Sequence, residues 1–147
     1  MLIDILCSSI LLLSLAGLAD SLYFTLVYYG YMRPDARFIP AICQMENSAC
    51  KTVLESKYAR VFSIPNSLLG LPYYALTASI CLIHWIYGTW LLLPYALIAS
   101  AIAVAFSAYL TRALIYKLRQ PCPLCFLAHA INLLLLALLA GLIIYTK

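Results

Sequence analysis

From Val61 to Thr111 the chain runs for 51 residues without an Asp, Glu, Lys or Arg. No other feature limits the fold as much. A helix needs roughly 20 apolar residues to cross a bilayer, so this run holds two crossings and a turn. The turn falls at Ile86 to Trp90, where Gly88 breaks the helix. Trp85, Tyr87, Trp90 and Tyr95 around it suit a membrane interface. Pro121 to Thr146 is also free of charge and gives one more span. Leu2 to Met32 carries only Asp4 and Asp20 and gives another. It lacks the basic start of a cleavable signal, and its apolar run is too long for one. The expected fold is an all-α membrane protein of a single domain, residues 1–147. Its four spans are set at about 3–32, 65–86, 91–116 and 122–145, with a loop over 33–64. Composition agrees: 10% of residues are charged, against about 25% in soluble domains. That shortage excludes a soluble globule and a disordered chain. Nine basic residues in no continuous run also argue against nucleic-acid binding.

The polar residues gather between the first two spans. Val53, Leu54, Tyr58, Val61 and Phe62 recur there at helical intervals, which predicts a short amphipathic helix on the membrane surface. With four spans, this loop and the YKLRQP hinge (Tyr116 to Pro121) fall on one side of the membrane. The chain ends fall on the other.

Four of six cysteines sit on the loop side. Cys43 and Cys50 are in the loop, and Cys122 and Cys125 form CPLC at the start of the last span. Cys7 and Cys81 lie within apolar spans and read as small buried hydrophobes. Pro123 is well tolerated in a first helical turn, so Cys122 is expected near the N-cap with Cys125 one turn in on the same face. Backbone N–H groups at a helix start favour thiolates, so these sulfurs are expected to be reactive. An inert disulfide is the plain alternative. A Cys-ligated zinc site is another, but the loop pair has six residues between its members and no nearby His, so no metal is assigned. Two pairs on one side fit a thiol–disulfide relay through mixed disulfides. The loop pair can meet a soluble partner, and the helix pair lies where a lipid-soluble acceptor reaches it. With no glycine motif for a nicotinamide or flavin, a membrane quinone is the simplest acceptor.

In this order the motifs resemble the vitamin K epoxide reductase family. GLADSLY (Gly17 to Tyr23) is similar to its first-helix motif. Cys43 and Cys50 match its loop cysteines, and Ser56 in SKYA its loop serine. NSLLG (Asn66 to Gly70) resembles the start of its second helix, and CPLC followed by His129 its redox centre. The resemblance implies a four-helix bundle around a quinone of the ubiquinone or menaquinone type, capped by the loop and its helix. It implies that Cys43 takes electrons from a separate thioredoxin-like protein. Cys50 would pass them to Cys122 through a Cys50–Cys122 intermediate, and Cys125 would face the quinone. Asn66 would hydrogen-bond a quinone oxygen. His129 stands where human-type members have Tyr, and could give the quinone a hydrogen bond or a proton. The activity expected is therefore that of a dithiol:quinone oxidoreductase that makes disulfides.

The different-class reading is a non-catalytic membrane protein with structural disulfides or a bound metal. The unrelated four-helix quinone reductase of bacteria places its CxxC after its first helix, whereas CPLC opens the last span here. Asp20, an ionisable group inside a span, is expected to be paired or functional, with Arg112 as its candidate partner. Ser56 is expected to orient the loop, and Tyr23, Tyr28 and Tyr29 to pack. Arg33, Arg37, Lys51, Lys57, Arg60, Arg112, Lys117 and Arg119 lie at the active end, against Lys147 at the other. Short basic loops stay cytoplasmic, so the charge pattern places the active end in the cytosol. The resemblance alone implies the opposite face.

Overall fold

The computed structural model describes residues 1–33, 49–119 and 122–146, with side chains in the second segment described from residue 52. Cys43 and Arg37 lie outside the described residues, as do the side chains of Cys50 and Lys51. Helix α1 spans Leu2–Tyr28 and the short α2 spans Ala49–Glu55. A two-residue hairpin follows, with strands β1 (Arg60–Val61) and β2 (Ile64–Pro65). Then come α3 (Asn66–Tyr87), α4 (Leu93–Arg112) and α5 (Pro123–Thr146). A π-helical stretch, Ala113–Leu118, continues α4. Four of these helices are long and apolar enough to cross a membrane, and the protein is an all-α, four-span bundle.

The bundle is sorted as a lipid solvent demands. Large apolar side chains such as Leu12, Ile98, Ile102 and Ile144 point outward, each at least 60% exposed. Ser14, Ser21, Thr25, Thr77, Ser100 and Ser107 are buried. Lipid tails are as apolar as leucine, so burying leucine gains little there. Close packing and hydrogen bonds between helices hold the bundle instead. Ser14 and Thr77 bond across α1 and α3 at 2.8 Å, and the Thr25 and Ser67 hydroxyls share a bond at 3.2 Å.

Two glycines allow α1 and α3 to approach this closely. A Cβ at Gly17 would run into the Tyr74 ring, and one at Gly70 into the Ser21 hydroxyl. The Tyr74 ring cannot easily give way, because its hydroxyl is anchored to Asn132 Oδ1 at 2.7 Å. Gly17→Ala is therefore expected to destabilise the protein by about 1–3 kcal/mol, the usual cost of overpacking. A lowered Tm in detergent, with Gly141→Ala as a control, checks this; nothing lies within 4 Å of a Cβ at Gly141.

The far end of the bundle closes on Gly88, which caps α3 in the left-handed conformation (φ 65°). His84 and Trp90 stack across that turn, with centroids 3.7 Å apart. Trp85, Tyr87 and Tyr95 around it are exposed, at the level where aromatic side chains meet lipid headgroups. Cys7 and Cys81 are fully buried in this half's core, on α1 and α3.

The loop region departs from its sequence reading. The helix stops at Glu55, and Tyr58, Val61 and Phe62 do not continue it. Ser56 turns its hydroxyl onto the Val53 carbonyl at 2.7 Å, a local bond that competes with a further helical turn. The hairpin then demands positive φ at both central residues, and Phe62 (51°) and Ser63 (69°) adopt it. Val53 and Leu54 do not face lipid. They are buried against Phe24, Leu114, Cys122 and Leu124, so α2 is seated on the end of the bundle.

Candidate functional site

Cys122 directly precedes α5. Its carbonyl accepts the Phe126 N–H at 3.1 Å, and its Sγ accepts the Cys125 N–H at 3.4 Å. The sulfur thus does what a Ser or Asp oxygen does at an N-cap, satisfying a backbone donor that has no helical partner. Pro123 sits where a missing N–H costs nothing. One turn on, the Cys125 Sγ lies 2.7 Å from the Cys122 Sγ. Cys122 is fully buried and disulfide-bonded. Cys125 is a free thiol, half-buried. A free thiol therefore stands against one sulfur of a disulfide, the arrangement from which thiol–disulfide exchange proceeds.

Cys125 also forms part of the wall of a cavity of about 420 Å³ lined by all four spans and α2. That volume is in the range of sites for small molecules and cofactor headgroups. Val53 and Leu54 roof it, Phe24, Leu110 and Leu114 line its upper wall, and Ala99, Ile102 and Phe106 belong to its α4 side. Asn66, the first residue of α3, and His129, one turn below Cys125, face the same space.

Polar groups in this wall divide into two sets. The first set satisfies itself. Tyr74 donates to Asn132 Oδ1 at 2.7 Å, and Asn132 Nδ2 donates to Ser107 at 2.9 Å. Tyr73 and Ser100 share a bond at 3.0 Å. These bonds tie α3, α4 and α5 together. The second set is open: both ring nitrogens of His129 and Oδ1 of Asp20 are buried without a hydrogen-bond partner among the described residues. Buried polar atoms are almost always paired, so open ones around a cavity mark where a ligand's polar atoms belong.

The structure thus brings Cys122, Cys125, Asn66, His129 and Asp20 to one place. It does not bring Arg112 to Asp20. Arg112 is exposed, contributes nothing to the cavity wall and forms no ion pair with Asp20. Arg112 closes the α4 span, so its long side chain can reach water and has no need of a buried carboxylate. The backbone of Cys50 lies in α2, three residues before Val53, which packs on the Cys122 cluster. Tyr74, Asn132 and Ser107 belong to no motif and escape the sequence reading. Asn132 does carry a signal, because a lone amide in the otherwise apolar α5 requires a partner inside the bundle.

No curated protein matches the chain. The model of the Vitamin K epoxide reductase family matches residues 8–140, a stretch that runs from α1 through CPLC and most of α5. The match covers the first-helix segment at Asp20, the hairpin, the cavity and the cysteines of α5 as one ordered set. This four-span membrane oxidoreductase, of the quinone-linked thiol type in general, belongs to the vitamin K epoxide reductase family.

Proposed function

We propose that the protein makes disulfides, passing electrons from a separate thioredoxin-like partner through Cys43 and Cys50 to Cys122 and Cys125, and on to a membrane quinone of the ubiquinone or menaquinone type. The observation that carries this reading is the free Cys125 thiol, 2.7 Å from a disulfide-bonded Cys122 and in the wall of an apolar cavity. A structural disulfide has no use for a third sulfur at that distance.

In this cycle a dithiol partner reduces the Cys43–Cys50 disulfide and leaves as its own disulfide. Cys50 then attacks Cys122 in the Cys122–Cys125 disulfide, forming Cys50–Cys122 and releasing Cys125 as a thiolate. Cys43 attacks Cys50, restoring the loop disulfide and freeing Cys122. Cys122 and Cys125 are now both reduced, and their reoxidation gives up two electrons and two protons. A quinone, when bound, supplies the acceptor for both. A bonded Cys122 beside a free Cys125 is the pattern the second step leaves behind. The Cys125 N–H to Cys122 Sγ bond keeps the attacked sulfur aligned with the helix start, where excess negative charge on sulfur is favoured.

The cavity fits a quinone head. Its wall is mostly hydrocarbon, its volume is sufficient and its open polar atoms are few. Asn66 and His129 would hold the ring oxygens. Leu69 on α3 and Ile102 on α4 line the cavity and are 44% and 66% exposed, so an isoprenoid tail would meet apolar side chains there.

Purified protein, a small dithiol and a soluble quinone analogue test the reaction: quinol formation above the uncatalysed rate is expected. The direction of the active end is tested separately. Eight basic residues at that end against one at the other support a cytosolic active site. A membrane-impermeant maleimide added to intact, pre-reduced cells is expected to leave Cys43 and Cys50 unlabelled until the membrane is opened. Labelling from outside would place the site on the other face.

A further inference from the structure

Asp20 is a carboxyl group within a membrane span that faces the cavity and has no ion-pair partner among the described residues. Its Oδ1 is buried and unbonded. Such a group is rare in a span and is usually functional. The groups that line the cavity with it can be named element by element. From α3 come Asn66, Ser67, Tyr73 and Tyr74, and from α5 come Cys125, His129 and Asn132. Helix α4 contributes Ser107 and apolar side chains, and α2 contributes Val53 and Leu54. None of these carries a permanent positive charge.

A quinone's ring oxygens only accept hydrogen bonds, so a site that holds them needs donors. Several donors in this wall are already committed. The Tyr74 hydroxyl is spent on Asn132, one N–H of the Asn132 amide on Ser107, and Tyr73 is paired with Ser100. A carboxylate would place acceptor against acceptor, whereas a carboxylic acid has one O–H to give. In a hydrocarbon setting without a cation, the neutral form is also the one burial favours.

We propose that Asp20 is a quinone-binding residue, acting as a protonated carboxylic acid that donates a hydrogen bond to a ring oxygen. This inference rests on the quinone reading above and adds a ligand to it. It also makes quinone binding sensitive to pH, because removing the proton turns a donor into a repelling acceptor.

The test measures binding, without turnover. Equilibrium dialysis of a short-chain benzoquinone against the Cys125→Ser protein in detergent is run from pH 5.5 to 9, beside Cys125→Ser/Asp20→Asn and Cys125→Ser/Asp20→Ala. Any titration of His129 is common to all three, so a difference between curves belongs to position 20. With Asp20 present, affinity is expected to fall about 3- to 10-fold toward alkaline pH, the size of one net hydrogen bond. Asp20→Asn keeps an N–H donor at every pH, so its curve is expected to lack that fall and to lie above the Asp20 curve at pH 9. Asp20→Ala is expected to bind about 3- to 10-fold more weakly than Asp20→Asn throughout. If the Asp20 and Asp20→Asn proteins both bind quinone with the same pH dependence, this inference is overturned and the quinone reading stands. If folded Cys125→Ser protein binds no quinone at any pH, the quinone reading falls and this inference with it.

Discussion

Cys125→Ser is expected to stop quinol formation, with a loss of at least about 10³-fold, the scale seen when the reacting nucleophile of an enzyme is removed. The reason is chemical rather than structural. A serine in the first turn of α5 keeps the size and the helix, but it cannot form or release a sulfur–sulfur bond with Cys122, and its hydroxyl does not ionise near neutral pH. Cys125 is also the free sulfur that meets the cavity. No other described free cysteine can replace it, since Cys7 and Cys81 are fully buried in the core of the opposite half. Absorbance of quinol with a small dithiol as the reductant measures the loss. Unchanged turnover would remove Cys125 from the electron path and return the protein to a structural-disulfide reading. A preserved Tm in the variant would exclude unfolding as the cause.

Cys50→Ser is expected to separate a protein reductant from a small dithiol. With a thioredoxin-like protein as donor, kcat/KM is expected to fall about 10²-fold or more, because Cys50 is the sulfur proposed to carry electrons from the loop to Cys122. With a small dithiol, turnover is expected to stay within about threefold, because such a molecule can attack the helix disulfide itself. The seating of α2 bears on this. Val53 and Leu54 seat the helix that contains Cys50 on the Cys122 end of the bundle by burial. Equal losses with both reductants would mean that Cys50 supports the fold of the cap and carries no electrons. Cys43→Ser should resemble Cys50→Ser toward the protein donor, and mass mapping of the trapped Cys43→Ser protein is expected to find Cys50 joined to Cys122.

Much of this is legible in the sequence because a bilayer leaves few choices. Backbone polar groups in hydrocarbon must be satisfied within each segment, so a long run without charges has to be a helix. The 51 residues from Val61 to Thr111 have room for two spans, and Gly88 is the residue able to turn between them. CPLC is equally readable, because proline is favoured in the first turn of a helix. Cysteine chemistry then follows from position: a helix start, at the membrane surface, on the side of a second pair.

Beyond the reach of the sequence is anything that depends on which side chain meets which across helices. Helical spacing in the loop extends past Glu55, yet Ser56 bonds the Val53 carbonyl and the chain turns into a hairpin. Periodicity does not register a competing local hydrogen bond. Asp20 and Arg112 look like partners because opposite charges in one membrane protein usually are. Only the packing shows Arg112 reaching outward and Asp20 turned to the cavity. The cavity itself has no sequence signature. Its satisfied wall is assembled from Tyr74, Asn132 and Ser107, single residues on three helices, paired across 58 and 25 positions of the chain. Spacing within a helix says nothing about such pairs. The sequence determined the number of spans and the place of Cys122 and Cys125 at the start of the last one, because the solvent and the backbone impose those. The tertiary structure decided which polar groups are spent on one another and which remain open to a ligand, because that division exists only once the helices are packed.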